Sequence, residues 1–544
     1  MALALLPTVF GSTGETSLSK LYNRDISNDL NDVNDIRYTA IVQIAGRTYN
    51  LLLDTGSTVN WLNPPEGVGA FNDTGVEFKQ GYGDGSSFVS GHIGLAEMVV
   101  AGRTIPQQAF LNVTKNVGQS PCTSALCGLI GLNFKDPTGT GLPPALSAAG
   151  LDGDKLGKSL LSHVFEMNAT APWFFALALS RMDDVNDTAD ASLAISEYDP
   201  RYTDVPQEPQ NPIYPPGSYA WSILSDGIFI NGAPIAWPSV TKSTPPGKNI
   251  IEIDSGTPSL ALPTQIRDAI YGAVPGAVLA QNTSIPGKFQ NSDKNIWVVP
   301  CNTSMNFTVT FGGHAYPFHP LDMTKLYTQV GPDRKTYTIC VNTISGGGDL
   351  TDGTRSRQDS LFGDTFMRNV YSVFSFGDNT TAPFVQFLSV VNETEAVVDF
   401  TRVRQRHLVN GPPELSPAAL IALFDGPRSV AASVSATSPS DASTSSPTSS
   451  PPAAKAGDAA LKLAADLPDD SHPASDSDSQ IAKYAPIVIG LLGANLLILL
   501  VLLVVGVGFC LTRGDKKNGD RSAATWMAGI RVVGLHMGVQ WRSL

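Results

Sequence analysis

The sequence predicts an all-β protein of two related lobes, followed by a low-complexity stalk and one C-terminal transmembrane helix. Three observations predict it. Short runs rich in Val, Ile, Leu, Tyr and Thr alternate with Gly, Pro and Asp turn signals from Arg37 to about His407, and helical patches are few. The same plan occurs twice: Leu51-Leu52-Leu53 runs into Asp54-Thr55-Gly56-Ser57, and Ile251-Glu252-Ile253 runs into Asp254-Ser255-Gly256-Thr257. Each is matched later by an apolar-apolar-Gly step, Leu129-Ile130-Gly131 and Leu361-Phe362-Gly363. At 544 residues the chain also exceeds a single core, so two or more domains are the default.

Taken in order, residues 1–11 hold a short apolar run that reads as a weak signal peptide, and the polar residues up to 36 read as a loose N-terminal segment. A first lobe is expected over 37–212. In it Tyr38–Ile44 and Arg47–Leu53 are strand-like around Ala45-Gly46, and the second delivers Asp54. Val76–Gly94 reads as a hairpin whose Gly83-Asp84-Gly85 supplies the turn, with Tyr82 just before the tip. The Pro- and Tyr-rich residues 195–220 cross between lobes, and a second lobe is expected over 213–408, with helices at Pro263–Ala273 and, more weakly, Leu415–Phe424. Residues 409–483 are Ser, Pro, Ala, Thr and Asp in low-complexity order, a composition that cannot bury a core and suits an O-glycosylated stalk. Residues 484–511 follow as a membrane span: Ala485–Leu511 carries no charge. At 1.5 Å per residue it extends roughly 40 Å, enough for a tilted crossing. Arg513, Lys516, Lys517 and Arg521 come directly after it, which assigns the tail 512–544 to the cytoplasm and the lobes to the lumenal or extracellular side.

The net charge of −13 argues against nucleic acid or an anionic membrane surface as the main partner. Nine N-x-[ST] sequons, at Asn72, Asn112, Asn168, Asn186, Asn282, Asn302, Asn306, Asn379 and Asn392, all precede the span and read as a glycoprotein of an oxidising compartment. Of the five cysteines, Cys510 sits at the inner membrane boundary, and Cys122, Cys127, Cys301 and Cys340 can pair three ways. No C-x-x-C and no His at zinc spacing accompanies them, so neither metal nor cofactor is expected. His314 and His319 read as surface loop residues rather than ligands.

The chemistry expected of the two repeats follows from the carboxylates. Two carboxyls held a few ångströms apart in a partly dry site cannot both ionise, so the pair carries one proton and offers an acid and a base together. The base can deprotonate a water as it attacks a carbonyl carbon, while the acid protonates the carbonyl oxygen and a later step serves the leaving amine. That is peptide-bond hydrolysis without a covalent intermediate, best at acid pH. Gly56 and Gly256 let backbone amides approach the carboxylates, and Ser57 and Thr257 offer hydroxyls to their outer oxygens. Trp61 is spaced to reach the Tyr82 hydroxyl and fix the hairpin over the cleft.

These stretches, LLLDTGSTVNWL, QGYGDGSSFVSG, CGLIGL, IIEIDSGTPSLALP and SLFGDTFMRNVYSVF, resemble a pepsin-like aspartic protease over about residues 37–408. The resemblance implies a bilobal fold with pseudo-two-fold related lobes, Asp54 and Asp254 as the catalytic pair, and Tyr82, with Gly83 and Asp84, on a flap that closes on substrate. It further implies that Thr55 and Ser255 lock the lobes across the dyad, that Cys301 pairs with Cys340, and that the substrate is an extended peptide with hydrophobic residues around the cut. Cys122 and Cys127 are expected to close a small local loop, Phe78, Phe88, Ile93 and Leu129 to be pocket walls, and the protein to act as a monomer. A bilobal receptor without turnover would be favoured by a lost Asp54, Asp254, Ser57 or Thr257, and all four are present. Glycoside hydrolysis by paired carboxylates would need a wider or differently framed pair.

Overall fold

The computed structural model describes residues 30–83, 85–134, 141–182, 191–242, 244–286, 295–346 and 358–426. They all lie in the first of two compact units, Met1–Pro439. The expected signal peptide, most of the stalk, the span, the tail, Asp84 and Asn186 lie outside the described residues.

The first half supplies β1 (Leu30–Val33), β2 (Arg37–Ile44), β3 (Arg47–Asp54), β4 (Trp61–Leu62), β5 (Asn72–Tyr82), β6 (Ser87–Val100), β7 (Arg103–Val117) and β8 (Gly128–Gly131). They form one sheet in the order β1-β2-β3-β8-β4-β7-β6-β5. Helices α1 (Leu142–Ala148), α2 (Gly153–Leu156) and α3 (Leu160–Met167) follow, then β9 (Phe174–Ala178), β10 (Ser192–Ile195) and β11 (Asn211–Pro212). The second half opens with β12 (Ser222–Ile230), β13 (Ala233–Ile235), β14 (Asn249–Ile253), β15 (Leu260–Leu262) and α4 (Thr264–Gly272). It continues through β16 (Val278–Ala280), β17 (Ile296–Val298), β18 (Phe307–Phe311), β19 (His314–Pro317), β20 (Thr324–Val330), β21 (Thr336–Asn342) and β22 (Ser345–Gly346). It closes with β23 (Ser360–Phe362), α5 (Asp364–Met367), β24 (Val370–Ser375), β25 (Phe384–Ser389), α6 (Glu393–Asn410) and α7 (Pro417–Asp425).

The repeated plan in the sequence becomes a repeated strand arrangement. In the first half β3 runs parallel to β8, pairing Leu52 with Leu129 and Asp54 with Gly131, while β4 runs antiparallel to β8. In the second half β14 runs parallel to β23, pairing Glu252 with Leu361, while β15 runs antiparallel to β23. The glycine that ends each apolar-apolar-Gly step is needed because backbone crosses it: a Cβ on Gly131 would lie 2.5 Å from the Thr58 carbonyl carbon, and one on Gly363 would lie 1.8 Å from the Thr257 oxygen.

Both halves contribute to a third sheet, β10-β9-β24-β25-β11, in which Phe175 on β9 pairs with Phe374 on β24. Trp221 is fully buried there, its ring 4.0 Å from Phe134 and 5.2 Å from Phe374, and its indole N–H donates to the Leu132 carbonyl at 3.1 Å. Buried ionic pairs add to this seam. Asp322 accepts from Arg181 and from Arg368 Nε (2.7 Å), and Arg368 also donates to the Asp35 carbonyl (2.9 Å).

Several expectations need correction. The N-terminal segment is not loose throughout, since β1 pairs with β2 and Asp35 holds Lys325 of the second half at 2.7 Å. The second lobe does not end at 408. That boundary falls inside α6, an amphipathic helix that buries Ala396, Phe400 and Val403 and is capped by the Asn392 side chain. Helix α7 then packs Leu420 into an apolar cluster with Tyr327, Ile339 and Val341, and Ser284 donates to the Phe424 carbonyl (3.0 Å). The stalk expected from 409 therefore begins no earlier than 427. His319 is buried, not a surface residue: its Nδ1 accepts from the Leu321 N–H, and its Nε2 lies 3.7 Å from Asp399 on α6. No helix of the described residues is long and apolar enough to cross a membrane.

Candidate active site

Strands β3 and β14 end at the same place, each handing its aspartate to a tight loop. Asp54 is 5% exposed and Asp254 is half-buried. The two loops bind their carboxylates identically. Around Asp54, the Gly56 N–H donates at 2.8 Å and the Ser57 hydroxyl at 2.5 Å. Around Asp254, the Gly256 N–H donates at 2.9 Å and the Thr257 hydroxyl at 2.6 Å. Each carboxylate thus has one oxygen on an amide and the other on a hydroxyl, so both are fixed in plane.

The carboxyls also face each other across the two loops, close enough for the charge of Asp254 to act on Asp54. The glycines make this approach possible: a Cβ on Gly256 would sit 2.5 Å from Asp54 Oδ1, and one on Gly56 would sit 2.7 Å from Asp254 Oδ1. Beneath the pair, Thr55 and Ser255 exchange bonds. Thr55 Oγ1 donates to the Ile253 carbonyl (2.8 Å) and accepts from the Ser255 N–H (3.0 Å). Ser255 Oγ donates to the Leu53 carbonyl (2.8 Å) and accepts from the Thr55 N–H (3.1 Å). Burial first, and then the charge of Asp254, push the Asp54 carboxyl well above the usual carboxylate range.

Over the pair, the Trp61 indole N–H donates to the Tyr82 hydroxyl at 2.6 Å, with the Ser57 hydroxyl beside it. Burial and the Asp54 charge hold the Tyr82 phenol in its neutral form. Gly83 takes a left-handed φ of 57° at the hairpin tip. The expected pocket walls divide. Ile93 and Leu129 are buried with Trp61, and Phe78 packs on the same cluster with Tyr82, whereas Phe88 lies under the Lys79 ammonium, 3.9 Å from its ring centre.

Cys301 is bonded to Cys340, and Cys122 to Cys127. Of the sequons, Asn112 is half-buried, and Asn72, Asn168, Asn282, Asn302, Asn306, Asn379 and Asn392 are exposed. Sequence reasoning missed two residues of the site. Asn60, 2% exposed, accepts the Gly131 N–H at 3.1 Å and ties β8 to the Asp54 loop. Its only signal was its place between Ser57 and Trp61. Glu252 stands two residues before Asp254, where an apolar residue was the natural reading of the strand.

The chain is similar to several known aspartic peptidases. A probable aspartic-type endopeptidase of Arthroderma otae is 29% identical over 163 residues, 30% of this chain and 34% of that one. The major aspartyl peptidase 1 of Cryptococcus neoformans is 23% identical over 329 residues, 59% of this chain and 58% of its own. The aspartic-type endopeptidase ctsD of Aspergillus fumigatus is 24% identical over 362 residues, 63% of this chain and 65% of its own. The chain thus spans between a third and two thirds of the length of these relatives. Among solved structures, the aspartic proteinase from Irpex lacteus is similar with a TM-score of 0.48 and 17% identity, over 68% of this chain and 98% of that one. Residues 37–383, well over half of the chain, match the eukaryotic aspartyl protease family, and the chain belongs to that family in its pepsin-like form.

Proposed function

We propose that this protein is a membrane-anchored aspartic endopeptidase that hydrolyses extended peptides at acid pH. The observation that carries the reading is the apposition of Asp54 and Asp254, each packed on the other loop's glycine and each held by a matching glycine amide and hydroxyl. In the singly protonated pair, one carboxylate takes a proton from a water positioned between the two side chains. That water attacks the scissile carbonyl carbon while the other carboxyl protonates the carbonyl oxygen. Collapse of the tetrahedral species then delivers a proton to the departing amine. Because burial and the Asp254 charge hold the Asp54 proton above the ordinary carboxylate range, the singly protonated state extends upward from acid pH. It is lost as rising pH removes the single proton and as falling pH adds a second. Tyr82, anchored by Trp61, closes over the bound peptide.

The placement in the cell follows from the sequence beyond the lobes. The uncharged run Ala485–Leu511 with basic residues after it anchors the chain, and the sequons put the lobes on the lumenal or extracellular side, where the protein acts as a monomer on peptide substrates. The test is a peptide-library digest with the full-length chain in detergent, from about pH 3 to about pH 7, beside its Asp54→Asn form. Cleavage with an acid optimum in the parent and none in the variant is expected. An Asp54→Asn chain that still cleaves, or a parent that never does, refutes the reading.

A further inference from the structure

Each catalytic strand carries, two positions before its aspartate, a residue on the same side of the strand, because successive side chains alternate. In the first lobe this is Leu52, which pairs in register with Leu129 and joins the apolar cluster of Trp61 and Ile93 beside Tyr82. In the second lobe the same register puts Glu252 opposite Leu361, with Ser222 on its other flank. An apolar position of one lobe is a carboxyl in the other.

Glu252 is half-buried, and no cation among the described residues accompanies it. Ser222 and Leu361, its neighbours across β12 and β23, do not titrate. Asp359, just before β23, is engaged by the Ser239 hydroxyl and the Ile250 N–H. The charge that acts on Glu252 is that of Asp254, on its own strand. Burial first, and then that charge, push its carboxyl up to about 8. A partly dry carboxylate without a counter-ion is costly, so in the empty cleft the group stays protonated. A positive group brought beside it removes that cost and lets it ionise.

We propose that Glu252 is a specificity residue that selects a cationic side chain, lysine or arginine, in the substrate residue next to the bond cut between Asp54 and Asp254. The inference rests on the endopeptidase reading and adds a substrate class to it. The matching position of the other lobe is Leu52, in the apolar cluster on which Tyr82 packs, so the two sides of the cut are read by opposite chemistries. Because Glu252 must release its proton to form the ion pair, preference for the cation grows as pH rises toward neutrality, even where turnover itself is falling.

The test uses the full-length chain in detergent and two peptides that differ only in lysine versus norleucine beside the scissile bond. Their kcat/KM ratio is followed from about pH 4 to about pH 7, which cancels the titration of the catalytic pair. In the parent the lysine-to-norleucine ratio rises with pH, by up to about tenfold per unit. Glu252→Gln flattens the rise and lowers the ratio about tenfold near pH 6, and Glu252→Leu, which copies Leu52, favours norleucine. A parent with no lysine preference at any pH, or a Gln variant that keeps the rise, overturns the inference and leaves the endopeptidase reading standing. A parent that cleaves neither peptide removes both. The parent's own pH series requires no variant, so a misfolded substitution does not protect the proposal.

Discussion

Replacing Thr55 by Val tests whether the crossed hydrogen bonds under the carboxyls hold the two lobes in register. Valine keeps the shape of threonine, so no cavity opens, and only the hydroxyl is lost. That hydroxyl donates to the Ile253 carbonyl at 2.8 Å and accepts from the Ser255 N–H at 3.0 Å, and all the groups are buried. Each backbone group left without its partner costs about 1–3 kcal/mol, so stranding two of them should lower stability by about 2–6 kcal/mol. The companion change, Ser255→Ala, strands the Leu53 carbonyl and the Thr55 N–H in the same way. Because the two hydroxyls brace the same pair of loops, the double variant should lose less than the sum, with a coupling of at least about 0.5 kcal/mol. Urea unfolding of the full chain in detergent, followed by tryptophan fluorescence, reads the loss as a lower midpoint at unchanged slope. A loss below about 0.5 kcal/mol, or strictly additive losses in the double variant, would show that the crossed bonds do not hold the lobes.

Other outcomes follow from the same geometry. Trp61→Phe removes the donor to the Tyr82 hydroxyl while keeping an aromatic ring in the cluster, so kcat/KM should fall about fivefold, corresponding to about 1 kcal/mol. Asp322 lies well below the usual carboxylate range despite its burial, because Arg181 and Arg368 flank it. A depressed carboxyl contributes stability above its unfolded value near 3.8 that is lost as pH falls toward its folded value. Asp322→Asn should therefore destabilise the fold by about 3–5 kcal/mol at neutral pH and flatten its acid denaturation limb, measured by unfolding at stepped pH. Removing the Cys301–Cys340 bridge by Ser substitution frees a loop of 39 residues, for which chain entropy gives about 4 kcal/mol, read from the unfolding midpoint with and without reductant.

Much of the site was legible because its parts are local. A strand, an aspartate, a hydroxyl and a glycine follow one another in sequence, and the repeat of that order gives both loops, their amide and hydroxyl donors, and the reach of Trp61 to Tyr82. Helices α4 and α7 showed as apolar spacing bounded by Pro263 and by Ser416-Pro417. Helix α6 did not, because Val397, Val398 and Val409 face solvent and blur the stripe formed by Ala396, Phe400 and Val403. The seam of Asp35, Arg181, Asp322 and Arg368 was illegible for a different reason: its members come from four distant stretches, and no local pattern announces which charges will meet. Glu252 hid inside a run that reads as an ordinary buried strand.

The sheet shared by β9 and β24 has a consequence for how the molecule is made. Roughly 190 residues separate the end of one strand from the start of the other. At 5–20 residues per second, a ribosome needs about 10–40 s to supply the missing neighbour. During that interval β9 presents an unpaired edge of Phe and Ala residues, the kind of surface that recruits chaperones or other nascent chains. Neither half, translated alone, would close that edge, so a chain interrupted between the halves should aggregate rather than persist as a free lobe.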